Sequence, residues 1–144
     1  MPDDRELLVA RAREAARHAH AAYSGIQVGA AIRAASGAVY TGCNVENASY
    51  PVGNCAEASA IAAGVGAEGG SLRIVETAVW AIDPEGRVLA ASPCGACRQR
   101  LHEFAAPDVV LVHFPWHGGE IRTAPLAELL PYAFTLQDGS RRRS

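Results

Sequence analysis

Two short cysteine motifs constrain this chain more than any other feature: Cys55-Ala56-Glu57, and PCGACR from residue 93, which carries Cys94 and Cys97. If Cys55 begins one helix and Cys94 begins another, both thiols lie at positive helix ends, where a thiolate forms more easily. Three thiolates suit Zn²⁺ at about 2.3 Å and leave a fourth tetrahedral position open to water, as in catalytic sites. Glu57 can then carry protons to and from that water without binding the metal. The motifs predict a catalytic zinc site with ligands Cys55, Cys94 and Cys97.

Longer blocks around these motifs resemble the small oligomeric cytidine deaminases that act on free nucleosides. The blocks are GCNVENASYP from residue 42, CAE from residue 55 and SPCGACRQ from residue 92, and the resemblance extends from about residue 23 to residue 134. It implies a three-layer α/β/α fold, with a five-stranded mixed sheet between helices and one Zn²⁺ per chain between two helix N-termini. It also implies hydrolytic deamination of cytidine or deoxycytidine, with release of ammonia, in pyrimidine salvage.

Polar residues follow the second predicted strand, at a position where ligand-binding side chains often lie in α/β proteins. They are Asn44 and Glu46, which in the resembling family hold the sugar. Amide and carboxylate groups can donate to and accept from two ribose hydroxyls. An ordinary polar loop is the alternative. The resemblance further implies that the backbone amide of Ala56 holds the pyrimidine carbonyl.

Aromatic residues at two positions match those that reach a neighbouring subunit's site in tetrameric members of the resembling family. They are Tyr50 and Phe134, and they lead us to expect a homotetramer. Packing of both rings in the core of their own subunit is the alternative, since aromatic side chains are usually buried.

The chain departs from the resembling family at two site positions. Ile26 stands where an aromatic residue, usually Phe, flanks the nucleoside, and Ala58 stands where many members carry an arginine that can hydrogen-bond a ligand sulfur. The loss of stacking at Ile26 keeps open a modified nucleoside, a free base or an aminated nucleoside antibiotic as substrate. Because Ala58 cannot offset the thiolate charge, we expect the helix N-termini, and Arg98 after Cys97, to do so. The alternative for Arg98 is an exposed helix residue or an interface ion pair.

A fourth cysteine allows a reading of a different class. Cys43 is expected to be a small buried apolar residue,. If it bound the metal, four cysteines would form a closed structural site without catalysis. That reading would leave Glu57 and the Asn44–Glu46 pair without a role.

Composition limits the partners of the protein. The 144 residues have a formal net charge of −2, and all 13 basic residues are arginines without a basic stripe outside the last residues. A nucleic acid polymer is therefore not expected as a partner. The N-terminal residues lack the pattern of a signal peptide, and no apolar run of about 20 residues occurs, so we expect a cytoplasmic protein that does not bind membranes.

The length of 144 residues predicts a single domain, over residues 1–137, with a disordered arginine-rich tail over 138–144,. Helix follows strand after an initial hairpin, which predicts a mostly parallel sheet with one antiparallel edge. The predicted helices are 4–22, 55–64, 94–104 and 125–130, and the predicted strands are 27–34, 38–43, 72–82, 87–91, 109–114 and 120–123.

Overall fold

The structure is a computed structural model that describes residues 3–136 of the chain. The predicted tail over 138–144 therefore lies outside the described residues. The helices are α1 (Asp4–Ala16), α2 (Ala56–Glu68), α3 (Gly95–Glu103) and α4 (Leu126–Leu129), with 3-10 turns at Tyr50–Val52, Gly69–Ser71 and His117–Gly119. The strands are β1 (Gln27–Ala34), β2 (Val39–Cys43), β3 (Ile74–Ile82), β4 (Leu111–Pro115) and β5 (Ile121–Pro125).

The five strands form one mixed sheet in the order β2-β1-β3-β4-β5. The prediction of a mostly parallel sheet is wrong, because only β3 and β4 pair in parallel. Hairpins join β1 to β2 and β4 to β5, and a short hairpin connection can only make antiparallel neighbours. The connection through α2 carries the chain past β1, so β2 and β3 run in the same direction without pairing.

Helices cover both faces of the sheet and give the three predicted layers. On one face α1 packs against the sheet, and on the other α2 and α3 do so over the larger core. The α1 layer includes Leu8, Ala12, Ala31, Ala78 and Trp80, and the other includes Ile32, Ala60, Ile61, Val79, Leu101 and Val112. Burial of these side chains is the main stabilisation of the fold.

Two glycines allow the helices to lie directly on the strands. A Cβ atom at Gly29 would lie 1.9 Å from the Ala12 carbonyl oxygen of α1, and one at Gly42 would lie 2.4 Å from the Ala60 nitrogen of α2. Both separations are far inside van der Waals contact. Residue 42 must therefore be glycine for α2 to keep its place beside β2.

Three predicted elements differ markedly in the structure. The helix predicted over 55–64 continues to Glu68, because Gly64 packs within the helix against Leu72 instead of ending it. The first helix ends at Ala16 instead of residue 22, and the chain then turns until Gly25, which has a φ of 74°. Residues 87–91 are not a sheet strand: they form an isolated bridge from Val88 to Ile82, with single bonds from the Leu89 amide to Ala81 O and from the Ala91 amide to Pro115 O. The reason is that β1 and β4 already occupy the two edges of β3, leaving only its last residues to pair. No helix within residues 3–136 is both long and apolar enough to span a membrane.

Candidate active site

The starts of α2 and α3 position the predicted metal ligands. Cys55 is the N-cap residue of α2 and Cys94 is the N-cap residue of α3, while Cys97 lies in the first turn of α3. Both N-cap residues have extended backbone, so their side chains leave the chain at the helix ends where backbone N–H groups have no intrahelical acceptor,. The sequence correctly predicts that a cysteine begins each of these helices.

The sulfur atoms of two helices share one hydrogen-bond donor. Arg100 Nη1 lies 3.5 Å from Cys55 Sγ and 3.5 Å from Cys97 Sγ. Burial raises the pKa of the Cys97 thiol, and the nearby charges of Glu57, Cys55 and Cys94, with a hydrogen bond to Cys55, raise it further. Cys55, Cys94 and Cys97 are called the sulfur cluster: Cys55 and Cys97 share the Arg100 donor, and Cys94 is the N-cap of the helix that carries Cys97.

This cluster fits zinc by its chemistry. As the side chains stand, no group of three His, Cys, Asp or Glu residues within 3–136 meets the geometry for holding a metal ion. The donors are nevertheless free thiols. Three thiolates brought together repel one another, and a soft dication relieves that repulsion. Cys43, also a free thiol, is half-buried at the end of β2, where it pairs with Gly29.

Glu57 lies in the first turn of α2, two residues after Cys55, and is buried with 5% of its surface exposed. Desolvation raises the pKa of this carboxyl, while its own backbone amide, Cys97 and the charge of Arg100 oppose the shift. A carboxyl whose pKa is raised toward neutrality can both accept and return a proton. Its burial beside the sulfur cluster suits it to proton transfer.

The structure corrects the expectation for Arg98. Its three guanidinium nitrogens donate to Pro93 O at 2.7 Å, Leu129 O at 2.8 Å and Ser92 Oγ at 2.9 Å. Arg98 thus ties the segment before α3 to the end of α4, and the arginine that contacts sulfur is Arg100. Sequence reasoning missed Arg100. The available signal was its position three residues after Cys97, which places both side chains on one face of α3.

The two predicted ribose-binding side chains already bind the backbone around them. Asn44 Oδ1 accepts from the Val28 amide at 2.8 Å, and its Nδ2 donates to Ile26 O at 2.9 Å. Glu46 accepts the amides of Tyr23 and Ser24 at 2.9 and 3.0 Å, and it also accepts the Ser24 hydroxyl. These bonds lower the pKa of Glu46, the Ser24 hydroxyl most of all. Each side chain is therefore fixed in orientation while keeping capacity for another hydrogen bond.

The segment that carries Asn44 and Glu46 is paired on both sides of Val45. His20 bridges to Val45 in parallel and Asn54 bridges to it antiparallel. The Val45 amide donates to Asn54 O and the Asn54 amide to Val45 O, both at 2.9 Å. Because Asn54 directly precedes Cys55, these bonds fix the polar segment against the start of α2.

A pocket of about 850 Å³ lies between the end of α3 and α4, and none of the four cysteines lines it. A second pocket, of about 490 Å³, opens beside the start of α2. That volume is in the range of small-molecule sites. Its walls include both predicted ribose-binding residues, and its lining consists of Tyr23, Ser24, Asn44, Val45, Glu46, Asn47, Tyr50, Gly53 and Asn54.

The predicted aromatic residues are exposed in the single chain. The side chain of Tyr50 is 75% exposed and that of Phe134 is 70% exposed, so packing in their own core is wrong for both. Tyr50 meets Tyr23 edge-on with ring centroids 6.1 Å apart. Gln99 holds the Phe134 backbone, donating to its carbonyl at 2.9 Å and accepting its amide at 3.3 Å. Ile26, at 37% exposure, lies next to Asn44 through the bond from the Asn44 amide group.

Comparison with known proteins identifies the family of this site. Residues 2–113 match the sequence model of the cytidine and deoxycytidylate deaminase zinc-binding region. The chain belongs to this family. The match includes the three clustered cysteines and Glu57, so it covers the residues that the fold brings together.

Named relatives and a solved structure agree with the family match. The chain is 40% identical to the cytidine deaminase of Mycobacterium tuberculosis over 144 residues, covering 99% of each chain. It is 38% identical to that of Sporosarcina psychrophila over 135 residues, 94% of each chain. The crystal structure of cytidine deaminase from Burkholderia pseudomallei superposes with a TM-score of 0.76 at 37% identity, covering 89% of this chain and 97% of that one.

Proposed function

We propose that this chain hydrolyses the amino group from cytidine and deoxycytidine, giving uridine or deoxyuridine and ammonia in pyrimidine salvage. One observation carries the proposal: a buried carboxyl, Glu57, lies in the first turn of α2, two residues after Cys55 and three after Asn54, which lines the same pocket as Asn44 and Glu46. Homologues named cytidine deaminase along nearly the whole chain support the same reaction.

The metal proposed here is one Zn²⁺ per chain, held by Cys55, Cys94 and Cys97. When bound, it would supply Lewis-acid activation of a water molecule. Glu57 would take a proton from that water, give it to the ring nitrogen and then pass a proton to the leaving amine. The new C–O bond forms at the ring carbon as its C–N bond breaks and ammonia leaves. Burial of Glu57 raises its pKa, which suits it to hold a proton between these steps,.

Binding and orientation of the nucleoside fall to residues around the pocket. We propose that Asn44 and Glu46 bind the sugar hydroxyls, since both are already fixed by backbone hydrogen bonds. The amide of Ala56, in the first turn of α2 where no intrahelical acceptor is available, would donate to the pyrimidine carbonyl,. Ile26 would contact the nucleoside through apolar packing instead of ring stacking.

We further propose a homotetramer in which Tyr50 and Phe134 reach a neighbouring subunit's site. Their exposure supports this, because large aromatic side chains left in water are favoured at subunit contacts,. The four free thiols favour a reducing compartment, so the proposed location is the cytoplasm,. Only a small-molecule nucleoside is proposed as partner, with neither nucleic acid nor membrane.

The test is a substrate panel with the purified zinc-loaded protein, following ammonia release from cytidine, deoxycytidine, 5-methylcytidine, cytosine, adenosine and guanine. We expect release from cytidine and deoxycytidine at rates far above those of the other compounds. Ammonia release from only a modified nucleoside or a free base would contradict the proposed substrate but would support hydrolytic deamination as the reaction. Zinc bound without ammonia from any compound would favour a structural metal site.

A further inference from the structure

Each of the two helices α2 and α3 carries a residue one turn after one of its cysteines. Ala58 lies three residues after Cys55 on α2, and Arg100 lies three residues after Cys97 on α3. Residues three apart in a helix lie on one face, so each of these side chains is a neighbour of a cysteine on its own helix. The methyl group of Ala58 cannot donate a hydrogen bond.

Arg100 makes contacts that Ala58 cannot. Its Nη1 lies 3.5 Å from the sulfur atoms of both Cys55 and Cys97, so one nitrogen connects the thiols of two helices. Arginine suits such a position because its guanidinium stays charged and presents several donors in a rigid plane. The nearest other arginine in sequence, Arg98, has its nitrogens bound to oxygen atoms.

The positive charge of Arg100 would affect the proposed metal centre through these two sulfur contacts. Three thiolates carry one more negative charge than Zn²⁺ carries positive, which makes the metal a weaker Lewis acid. A cation that hydrogen-bonds the sulfur atoms withdraws electron density from them and fixes their direction. A guanidinium at Arg100 would do both for two of the three ligands.

We propose that Arg100 is a positioning residue of the metal centre, which orients the Cys55 and Cys97 sulfur atoms and offsets their charge in place of an arginine at residue 58. The same function is thus supplied from α3 instead of α2. This inference rests on the zinc site of the proposed function and not on the identity of its substrate.

A structural role for Arg100 makes a different prediction. Arg100 is an exposed basic residue in the last turn of α3, where a cation also interacts favourably with the helix dipole,. Loss of that interaction would lower thermal stability slightly and leave the metal unaffected. The experiment therefore measures the metal directly.

The variants are Arg100→Ala, Arg100→Lys and the double variant Arg100→Ala/Ala58→Arg, with Arg11→Ala, an exposed arginine on α1, as the matched control. Zinc affinity is measured by competition with a coloured chelator. The sulfur-to-metal charge-transfer band is measured in the Co²⁺-substituted protein.

For Arg100→Ala we expect zinc affinity to fall by roughly 10- to 100-fold, the range typical of residues that support metal ligands. The charge-transfer band should move to lower energy, since the sulfur electrons are no longer stabilised by the guanidinium. Arg100→Lys should lie between, and Ala58→Arg should restore both properties. Affinity and spectrum equal to those of Arg11→Ala would overturn the inference. Tight zinc binding by the parent without ammonia release from cytidine would contradict only the proposed function.

Discussion

The Ser24 hydroxyl donates a hydrogen bond to the Glu46 carboxylate, which also accepts the backbone amides of Tyr23 and Ser24. The pKa of Glu46 is lowered by these bonds, chiefly by that hydroxyl. A lowered pKa means that the ionised form is favoured in the folded protein. The resulting contribution to folding stability is fully present above the pKa that Glu46 has in the unfolded chain. It is lost as the pH falls through the pKa of Glu46 in the folded protein.

Ser24→Ala should therefore weaken nucleoside binding and shift the pH below which binding is lost. We expect KM for cytidine to rise by roughly two- to tenfold, the range for one lost hydrogen bond, with little change in kcat. The acid limb of kcat/KM should move to higher pH because Glu46 then protonates more easily. Ser36→Ala is the control, since Ser36 donates to Glu68 at 2.6 Å and neither residue lines the pocket. Equal KM values and pH profiles for the two variants would argue against a role for Ser24.

Glu57→Gln should remove turnover and keep the metal. An amide has the size of the carboxyl but cannot accept and return a proton, so kcat should fall by at least roughly 10²- to 10⁴-fold. Zinc content by atomic absorption should remain that of the parent. Glu128→Gln, an exposed residue of α4, should be fully active. If Glu57→Gln keeps a tenth of the parent rate, another group transfers the proton.

Subunit mixing tests whether Phe134 completes a neighbour's site. Phe134→Ala and Glu57→Gln should each be nearly inactive as pure assemblies. Unfolded, mixed and refolded together, they should regain activity, because an intact Glu57 from one chain meets an intact Phe134 from the other. Activity is measured after mixed tetramers have been separated from pure ones by ion exchange, with a charged tag on one of the two variants. A mixture no more active than its components, or a fully active parent monomer, would contradict the shared site.

Replacement of individual cysteines separates a three-cysteine site from a four-cysteine site. Cys43 is half-buried at the end of β2, so Cys43→Ala should retain the metal and most of the activity, with a small loss of stability,. Cys55→Ala should lose both metal and activity. The measurements are zinc content and thermal unfolding. Zinc loss in Cys43→Ala would revive the closed structural site.

The close approach at Gly42 predicts a selective destabilisation. Gly42→Ala would place a Cβ 2.4 Å from the Ala60 nitrogen, so α2 must shift and the free energy of unfolding should fall by about 1–3 kcal/mol,. Turnover should fall as well, because Cys55 and Glu57 move with the helix. Gly66→Ala, on α2 itself, is the control. No atom lies within 4 Å of the new methyl group, so the free energy of unfolding should rise by up to about 1 kcal/mol,. Denaturant unfolding of the two variants compares them directly.

Local sequence signals identified the metal motif and most element positions in this protein. The cysteines that begin α2 and α3 were predictable because motif and helix start coincide, and β1 has the predicted bounds. Asp3, one of two aspartates that precede the apolar positions of α1, caps this helix by accepting the Glu6 amide at 2.8 Å,.

Strand direction and side-chain reach were not predictable in the same way. Apolar alternation places a strand but does not determine its neighbours, so the antiparallel pairing of β1 with β3 was missed. The expectation for Arg98 was wrong and Arg100 was missed, because only the packing of α3 against α2 and α4 decides which arginine contacts sulfur and which contacts Ser92 and Leu129.

The bridges on both sides of Val45 should limit the motion of the segment that carries Asn44 and Glu46. Although Val45 is 44% exposed, its amide and that of Asn54 are held in a reciprocal pair, so both should exchange slowly with deuterium even without ligand,. The exposed turn at Tyr50–Val52 is held by local bonds, from the Val52 amide to Ser49 O and from the Gly53 amide to Tyr50 O, so it should exchange faster until a nucleoside or a neighbouring subunit covers it. Binding of a sugar by Asn44 and Glu46 would then require little ordering of the backbone. Most of the conformational entropy that the chain loses on binding would come from the turn at Tyr50–Val52.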